Sequence, residues 1–417
     1  ELAPIYEQVN IATDHNQLVM ETMKRLAFNH NLHCLLHEKP FAGVNGSGKH
    51  NNWSLMTDDG INMLNPGETP HENMQFLLVL ACILKAVDRH AELLRETAAT
   101  VGNDARLGSN EAPPAIISVF LGEQLEDVID QLCSTGLATH SIQGGMLKTG
   151  VNTLPDFEKD ATDRNRTSPF AFTNNKFEFR MLGSSESIAS TNVVLNTIVA
   201  ESFKEAVDEL ERSSDFDMAL HDYVKTTFAD HRRIIFNGNG YSKEWVEEAK
   251  RRGLPNIPSS VEAISAIVSE KTVKLYESFN VFTRAELEAR LEIEYEAYSK
   301  AINIEAKTML NMAGKSLLPA IMKYSGDLAK SIKAVNDLGL DVTPEEETQI
   351  LKNILKLHNL ARETYRKLDE SVKEVAAISD FEKKAFAYHK QIVPVMKELR
   401  EFVDEIEMLV DKEYWPM

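Results

Sequence analysis

Three cysteines in 417 residues, Cys34, Cys82 and Cys133, are too few and too scattered for a disulfide framework or a cysteine-built zinc site, which suits a reducing, cytoplasmic setting. No apolar run approaches the length that crosses a bilayer, so no membrane partner is expected. Positive charge is also scarce: 45 lysines and arginines face 64 acids, a formal net charge of −19. Attraction to a phosphate backbone needs the opposite balance, so no nucleic-acid partner is expected either. There is no Walker A sequence, no fixed-period repeat and no low-complexity segment. What is present is ordinary for a globular chain, 43% hydrophobic and 26% charged, and the length favours two regions.

The most informative stretch is Asn45-Gly46-Ser47-Gly48-Lys49-His50-Asn51-Asn52-Trp53-Ser54-Leu55. From Lys49 the pattern alternates, and strand side chains change face at every step, so His50, Asn52 and Ser54 share one face while Asn51, Trp53 and Leu55 share the other. A second stretch repeats the design. Lys176, Glu178 and Arg180 lie on one side, with Phe177, Phe179 and Met181 behind them. Paired, the two strands make a floor able to hold a metal and anionic ligands.

Around these strands, a helix capped by Asp14 and a short strand at Leu32–Leu36 are expected before the glycine turn. Asp58-Asp59-Gly60 reads as a hairpin-type turn, and Thr69-Pro70-His71-Glu72 as a capping box that starts the next helix. Arg106 to Pro114 reads as a loop and Ala115 to Leu121 as a strand. Beyond Gly183 the text turns helical, with capping boxes at Thr283–Glu286 and Thr343–Glu346 and kinks expected at Pro319 and Pro394. The fold class expected is α+β: an antiparallel sheet backed by helices over residues 1–190, then an all-helical region over 191–417.

Hard divalent cations prefer carboxylate oxygen, and phosphoryl transfer needs such a metal with cations around the migrating group. Glu1, Glu7, Glu178 and His50 are candidate ligands, and Arg106, Arg166, Lys176 and Arg180 candidate cations. Each feature also has a plainer reading: a solvated strand face with cross-strand ion pairs, a half-buried histidine, a hairpin loop.

Taken together the wording resembles glutamine synthetase. Asn45-Gly46-Ser47-Gly48-Lys49-His50 is similar to the family's Asn-Gly-Ser-Gly-x-His signature, with Lys39-Pro40 before it. Asn110-Glu111-Ala112-Pro113 resembles the glutamate flap, Arg164-Asn165-Arg166 the arginine loop, and Lys176-Phe177-Glu178-Phe179-Arg180 the strand that closes the site. Ala3-Pro4-Ile5-Tyr6-Glu7 and the helical tail look like the type III, long bacterial form. The resemblance implies ATP-dependent joining of glutamate and ammonia through γ-glutamyl phosphate, with Mg2+ or Mn2+. His50 and Glu178 would ligate one ion, Glu1 and Glu7 the other. Asn45, Gly46, Arg106 and Arg180 would hold glutamate, Glu111 would close over it and help bind or deprotonate ammonium, and Ser54, Arg166 and Lys176 would face ATP. Asn52, Ala171 and Lys176 depart from the residues usual there. It also implies a homo-oligomer of stacked rings, with a dodecamer expected, and an N-terminal β-grasp domain upstream of Glu1, so that this chain alone is expected to be inactive. Rival readings are a carboxylate–amine ligase for another amine and a catalytically silent assembly protein with the same fold.

Overall fold

The computed structural model describes residues 5–141, 146–147, 157–158, 167–339, 341 and 343–416. Two compact units divide the chain, the first running to Leu287 and the second starting at Glu288. In the first, strands β1 (Asn51–Trp53), β2 (Val119–Phe120), β5 (Phe170–Phe172) and β6 (Phe177–Phe179) form a sheet in the order β1-β6-β5-β2. A separate antiparallel pair joins β3 (Met146–Leu147) to β4 (Phe157–Glu158).

The sheet is mixed rather than antiparallel throughout. β1 runs antiparallel to β6 and β6 to β5, but β2 lies parallel to β5, with Val119 opposite Phe170. A parallel neighbour needs a long crossover, and the chain between β2 and β5 includes helix α5 (Glu123–Thr135). The strand expected at Leu32–Leu36 is absent; Leu32 and Leu35 are exposed, so no apolar burial favours an extended pairing there.

One sheet face is sealed by aromatics. Phe170 and Phe177 stack with ring centroids 4.6 Å apart, and Phe172 lies between Phe177 and Phe76. Phe76 belongs to α2 (Met74–Arg89), a helix buried along most of its length. On the same side, Trp53 Nε1 and Asn51 Nδ2 donate to Asn196 and Asn192 of α6 (Ala189–Leu210), both at 2.9 Å. β1 is thereby fixed by its inward residues and leaves Asn52 exposed.

Several helix starts differ from the sequence reading. The first helix, α1 (Val9–Asn29), begins after Gln8 instead of Asp14, and none of its residues is buried. α2 is capped by Asn73, whose side chain accepts from Phe76 N at 3.0 Å; Thr69–Glu72 forms a turn before it. The box at Thr283 is present as expected, with Glu286 Oε2 accepting from Thr283 N at 2.8 Å and Thr283 Oγ1 accepting from Glu286 N at 3.4 Å.

Helices α3 (Ala91–Glu96), α4 (Val101–Arg106), α7 (Phe216–Asp230), α8 (Lys243–Arg251), α9 (Ser260–Ala263) and α10 (Glu270–Ser278) complete the first unit. Composition turns helical near position 190, but the packing boundary falls at Leu287, because α6 and α7 both lie against α2.

The second unit is helical: α11 (Arg284–Met312), α12 (Leu318–Asp337), α13 (Glu345–Ala376), α14 (Phe381–Ala387) and α15 (Val393–Glu407), of which α11 begins just before the boundary. α13 packs on both α12 and α15. It starts after Pro344, and Thr343 Oγ1 bonds to Glu345 instead of closing a box with Glu346. A proline ring clashes with the carbonyl four residues back, which for Pro319 and Pro394 is residue 315 or 390. Both positions fall in wide π turns, Ala313–Leu317 and Tyr388–Ile392, which absorb the clash.

Candidate active site

Where β1 faces β6, Asn52 lies directly opposite Glu178. Alternation therefore puts His50 and Ser54 on the face that carries Lys176, Glu178 and Arg180, and the side chains meet: His50 Nδ1 is 3.7 Å from Glu178 Oε2. Glu178 also accepts from Arg180 Nε at 3.1 Å and Nη2 at 2.8 Å, and from Thr173 Oγ1 at 3.5 Å. Burial acts to raise the Glu178 carboxyl, but the Arg180 contacts, helped by His50 and Lys176, outweigh it and hold the group below its ordinary range. The result is a buried carboxylate kept ionised beside an exposed imidazole.

Past His50 the ladder changes register. Asn51 pairs with Phe179 but Gly48 bridges Gly183, three steps on one strand against four on the other, so the β6 side carries an extra residue. Arg106, at the end of α4, fills the disturbance. Its guanidinium donates to the carbonyls of Met181 at 3.0 Å, Leu182 at 3.2 Å and Arg180 at 3.2 Å, and to Asn103 Oδ1 at 3.0 Å. The glycines of the turn are small because this side chain passes beneath them. A Cβ on Gly46 would lie 2.9 Å from Arg106 Cγ, and one on Gly48 2.7 Å from its Cζ.

The loop after α4 is tied down over the turn. Asn45 Nδ2 donates to Glu111 Oε2 at 2.7 Å, Asn110 Nδ2 to Gly43 O at 2.8 Å, and Tyr241 Oη to Glu111 O at 3.0 Å. Glu111 has φ +52°, a backbone region that non-glycine residues seldom enter. Ser54 Oγ bonds to Asn62 Oδ1 at 3.2 Å and Asn175 O at 3.0 Å, which joins the far end of β1 to the turn before β6. Lys176 Nζ sits 5.7 Å above the Tyr6 ring, so the segment before α1 reaches the chemical face. Glu7, next to Tyr6, is exposed. Glu1 and Arg166 lie outside the described residues.

Sequence reading missed the layer below. Glu38, buried under the turn, accepts from Ser185 N at 3.1 Å and from Ser185 Oγ, and its carbonyl accepts from Ser47 N at 2.8 Å. Glu186 accepts from Thr100 Oγ1 at 2.5 Å, while its Oε2 is buried without a hydrogen-bond partner among the described residues. Burial, reinforced by Glu38, raises the Glu186 carboxyl. Lys49 donates to the Glu186 carbonyl, and burial lowers its ammonium despite the two acids. Only Glu38 had a local signal, standing beside Lys39-Pro40; Tyr241 had none.

Could this face hold a metal? His50 and Glu178 supply one imidazole nitrogen and one ionised oxygen close enough to share a divalent ion. Among the described residues, no group of three His, Cys, Asp or Glu is gathered to complete a site by itself.

Residues 1–117 match the description "Glutamine synthetase, catalytic domain", and residues 219–336 "Glutamine synthetase C-terminal domain". The chain belongs to the glutamine synthetase family. A protein named type-3 glutamine synthetase from Dictyostelium discoideum is 43% identical over all of this chain and 58% of its own length. Two proteins named glutamine synthetase, from Butyrivibrio fibrisolvens and Bacteroides fragilis, are 42% and 39% identical, over 99% and 100% of this chain and 59% of their own lengths. The likeness thus extends beyond bacterial sequences, and the chain spans just under three fifths of these relatives. Within the glutamine synthetase match to residues 117, β1, the turn, Arg106 and Glu111 are included, whereas β6 is reached by the full-length likeness to the three relatives.

Proposed function

We propose that the protein carrying this chain is a glutamate–ammonia ligase, which spends ATP to form γ-glutamyl phosphate and then glutamine. The observation that carries the proposal is the shared face on which His50 lies 3.7 Å from Glu178, with Arg180 and Lys176 alongside. His50 and Glu178 would hold one divalent ion, Mg2+ or Mn2+, and Glu7 and Glu1 would serve a second. Bound there, the metal supplies charge neutralisation for the transferring phosphoryl group.

The protein's own groups do the rest. Arg180 keeps Glu178 ionised and places positive charge beside the subsite for substrate glutamate, next to Asn45 and the Gly46 backbone. Arg106 serves the same subsite by holding the turn against the end of β6, since its guanidinium is already engaged. Lys176, Ser54 and Arg166 border the ATP phosphates. Glu111 covers the bound acid, excludes water from the acyl phosphate and takes a proton from ammonium; the resulting ammonia attacks the γ-carbonyl carbon and inorganic phosphate leaves. Assembly as a homo-oligomer of stacked rings and a cytoplasmic location belong to the same reading.

The test is ATP-dependent phosphate release with glutamate and ammonium by the protein that carries this chain, and Mn2+ binding by the 417-residue chain followed by electron paramagnetic resonance. Glu178→Gln and His50→Ala are expected to weaken metal binding and turnover by about 10- to 100-fold. Release driven equally well by polyamines in place of ammonium, or metal binding indifferent to Glu178→Gln, would overturn the assignment. The 417-residue chain alone is expected to turn over little.

A further inference from the structure

A cleft of about 490 Å³, sharing no lining residue with the chemical face, is formed by the end of α2, the start of α3, helix α8 with the loop after it, and α10. Its charge is opposite to that of the chain. Four cations line it, Arg89, Arg233, Lys250 and Lys271, against two acids, Asp88 and Glu92, in a protein whose net charge is −19.

Local pairing sharpens the imbalance. Asp88 is buried and already satisfied, by His231 Nδ1 at 2.7 Å and by Arg233 Nε at 2.9 and 3.1 Å. It therefore anchors Arg233 more than it repels an anion. Arg233 Nη1 donates to Gly253 O at 3.3 Å, and Nη2 has no hydrogen-bond partner among the described residues. Lys271 Nζ covers the carbonyl of Arg89 at the end of α2, and Arg89 itself binds Glu205. Lys250, exposed in the last turn of α8, makes no hydrogen bond or ion pair among the described residues. The neighbouring Arg251 and Arg252 are bound to Glu248, so Lys250 alone in that run points its charge at the cleft.

The cleft is not purely polar. Val246, Leu254 and Pro255 supply an apolar wall, and the volume falls in the range of small-molecule pockets, roughly 300–1,000 Å³, larger than a bare inorganic anion needs. We propose that this cleft binds a small organic dianion with an apolar body, its charges met by Lys250, Lys271 and the free edge of Arg233. A phosphate monoester and a dicarboxylate share that chemistry.

Titration calorimetry of the 417-residue chain in a phosphate-free buffer, with adenosine 5′-monophosphate and with succinate as probes, tests it. Binding of the nucleotide alone identifies the phosphate ester as the class; binding of succinate alone identifies the dicarboxylate. The double variant Lys250→Glu/Lys271→Glu, checked for an unchanged melting temperature, is expected to bind the recognised probe about tenfold more weakly or worse, and Lys250→Arg/Lys271→Arg to retain it. Lys176→Ala, on the chemical face, is expected to leave this binding intact. Failure of both probes to bind at about millimolar concentration, or binding that survives the double charge reversal and is lost with Lys176→Ala, overturns the proposal.

Discussion

Asn45 and Glu111, 66 residues apart, are joined by a 2.7 Å hydrogen bond from the asparagine amide to the glutamate carboxylate. One stands at the head of the glycine turn, the other at the crest of the loop after α4. The bond makes the loop and the turn one structural unit. Tyr241 adds a second tie through the Glu111 carbonyl, and Asn110 a third through Gly43. A glutamate at positive φ is held there by contacts made outside its own segment.

The strength of that unit can be measured without turnover. Each exposed tie contributes about 0.5–1.5 kcal/mol, so losing one should lower amide protection in the loop by about two- to tenfold. Hydrogen exchange over residues 107–114 is expected to speed up in Asn45→Ala and in Tyr241→Phe, and further in the double variant. Unchanged exchange in both single variants would show that the loop is held by its own turn geometry instead.

Gly48 tests the layer beneath. A methyl there would press on the Arg106 guanidinium, which four acceptors hold in place and which cannot swing aside without giving up its bonds to three main-chain carbonyls and to Asn103. Gly48→Ala is expected to destabilise the first unit by about 1–3 kcal/mol in urea denaturation. A shift below about 0.5 kcal/mol would mean that Arg106 yields easily.

How much of this was readable from the sequence depends on the range of the interaction. The two faces of β1 and β6 were legible because a period of two and a run of phenylalanines are local properties, and the pairing of Asn52 with Glu178 follows that alternation. The Thr283 box was legible for the same reason, all its groups lying within four residues. The parallel β2–β5 pair was not, since its partners are 51 positions apart, as between Val119 and Phe170. Nor were the roles of Glu38 and Tyr241, which depend on Ser185 and Glu111 reaching them from distant segments. Asp14 looked like a helix cap because its residue type is favoured there, but α1 starts earlier without any side-chain cap, so propensity misplaced the boundary.

Glu186 gives a pH dependence with a definite sign. Burial raises its carboxyl above the ordinary value of 4.5, Glu38 adds to the rise, and Thr100, Gly183 and Arg106 oppose it. The folded state therefore holds this proton more tightly than the unfolded state. Its contribution to stability is fully present below the unfolded value and declines as pH rises from there through the folded value. Glu186→Gln keeps the shape without the charge. It is expected to flatten this decline, seen as a smaller loss of urea midpoint between pH 4.5 and neutrality than in the parent protein. An equal loss in both would place the titration elsewhere.

The second unit has a counterpart of opposite sign. His358, on α13, is buried, its Nε2 has no hydrogen-bond partner among the described residues, and burial, aided by Arg362, lowers its imidazole below the ordinary 6.5. Here the unfolded state binds the proton more tightly, so stability falls as pH drops from 6.5 towards the folded value and levels off below it. His358→Leu removes both the titration and the unpaired nitrogen. Leaving a buried polar atom unpaired costs about 1–3 kcal/mol, so the leucine variant is expected to be at least as stable as the parent at neutral pH and to lose less stability on acidification. Urea unfolding of the helical signal at pH 7 and pH 5 checks it. A leucine variant that weakens on acidification as steeply as the parent would show that α13 is destabilised by another group, and that His358 finds room to protonate without disturbing its packing.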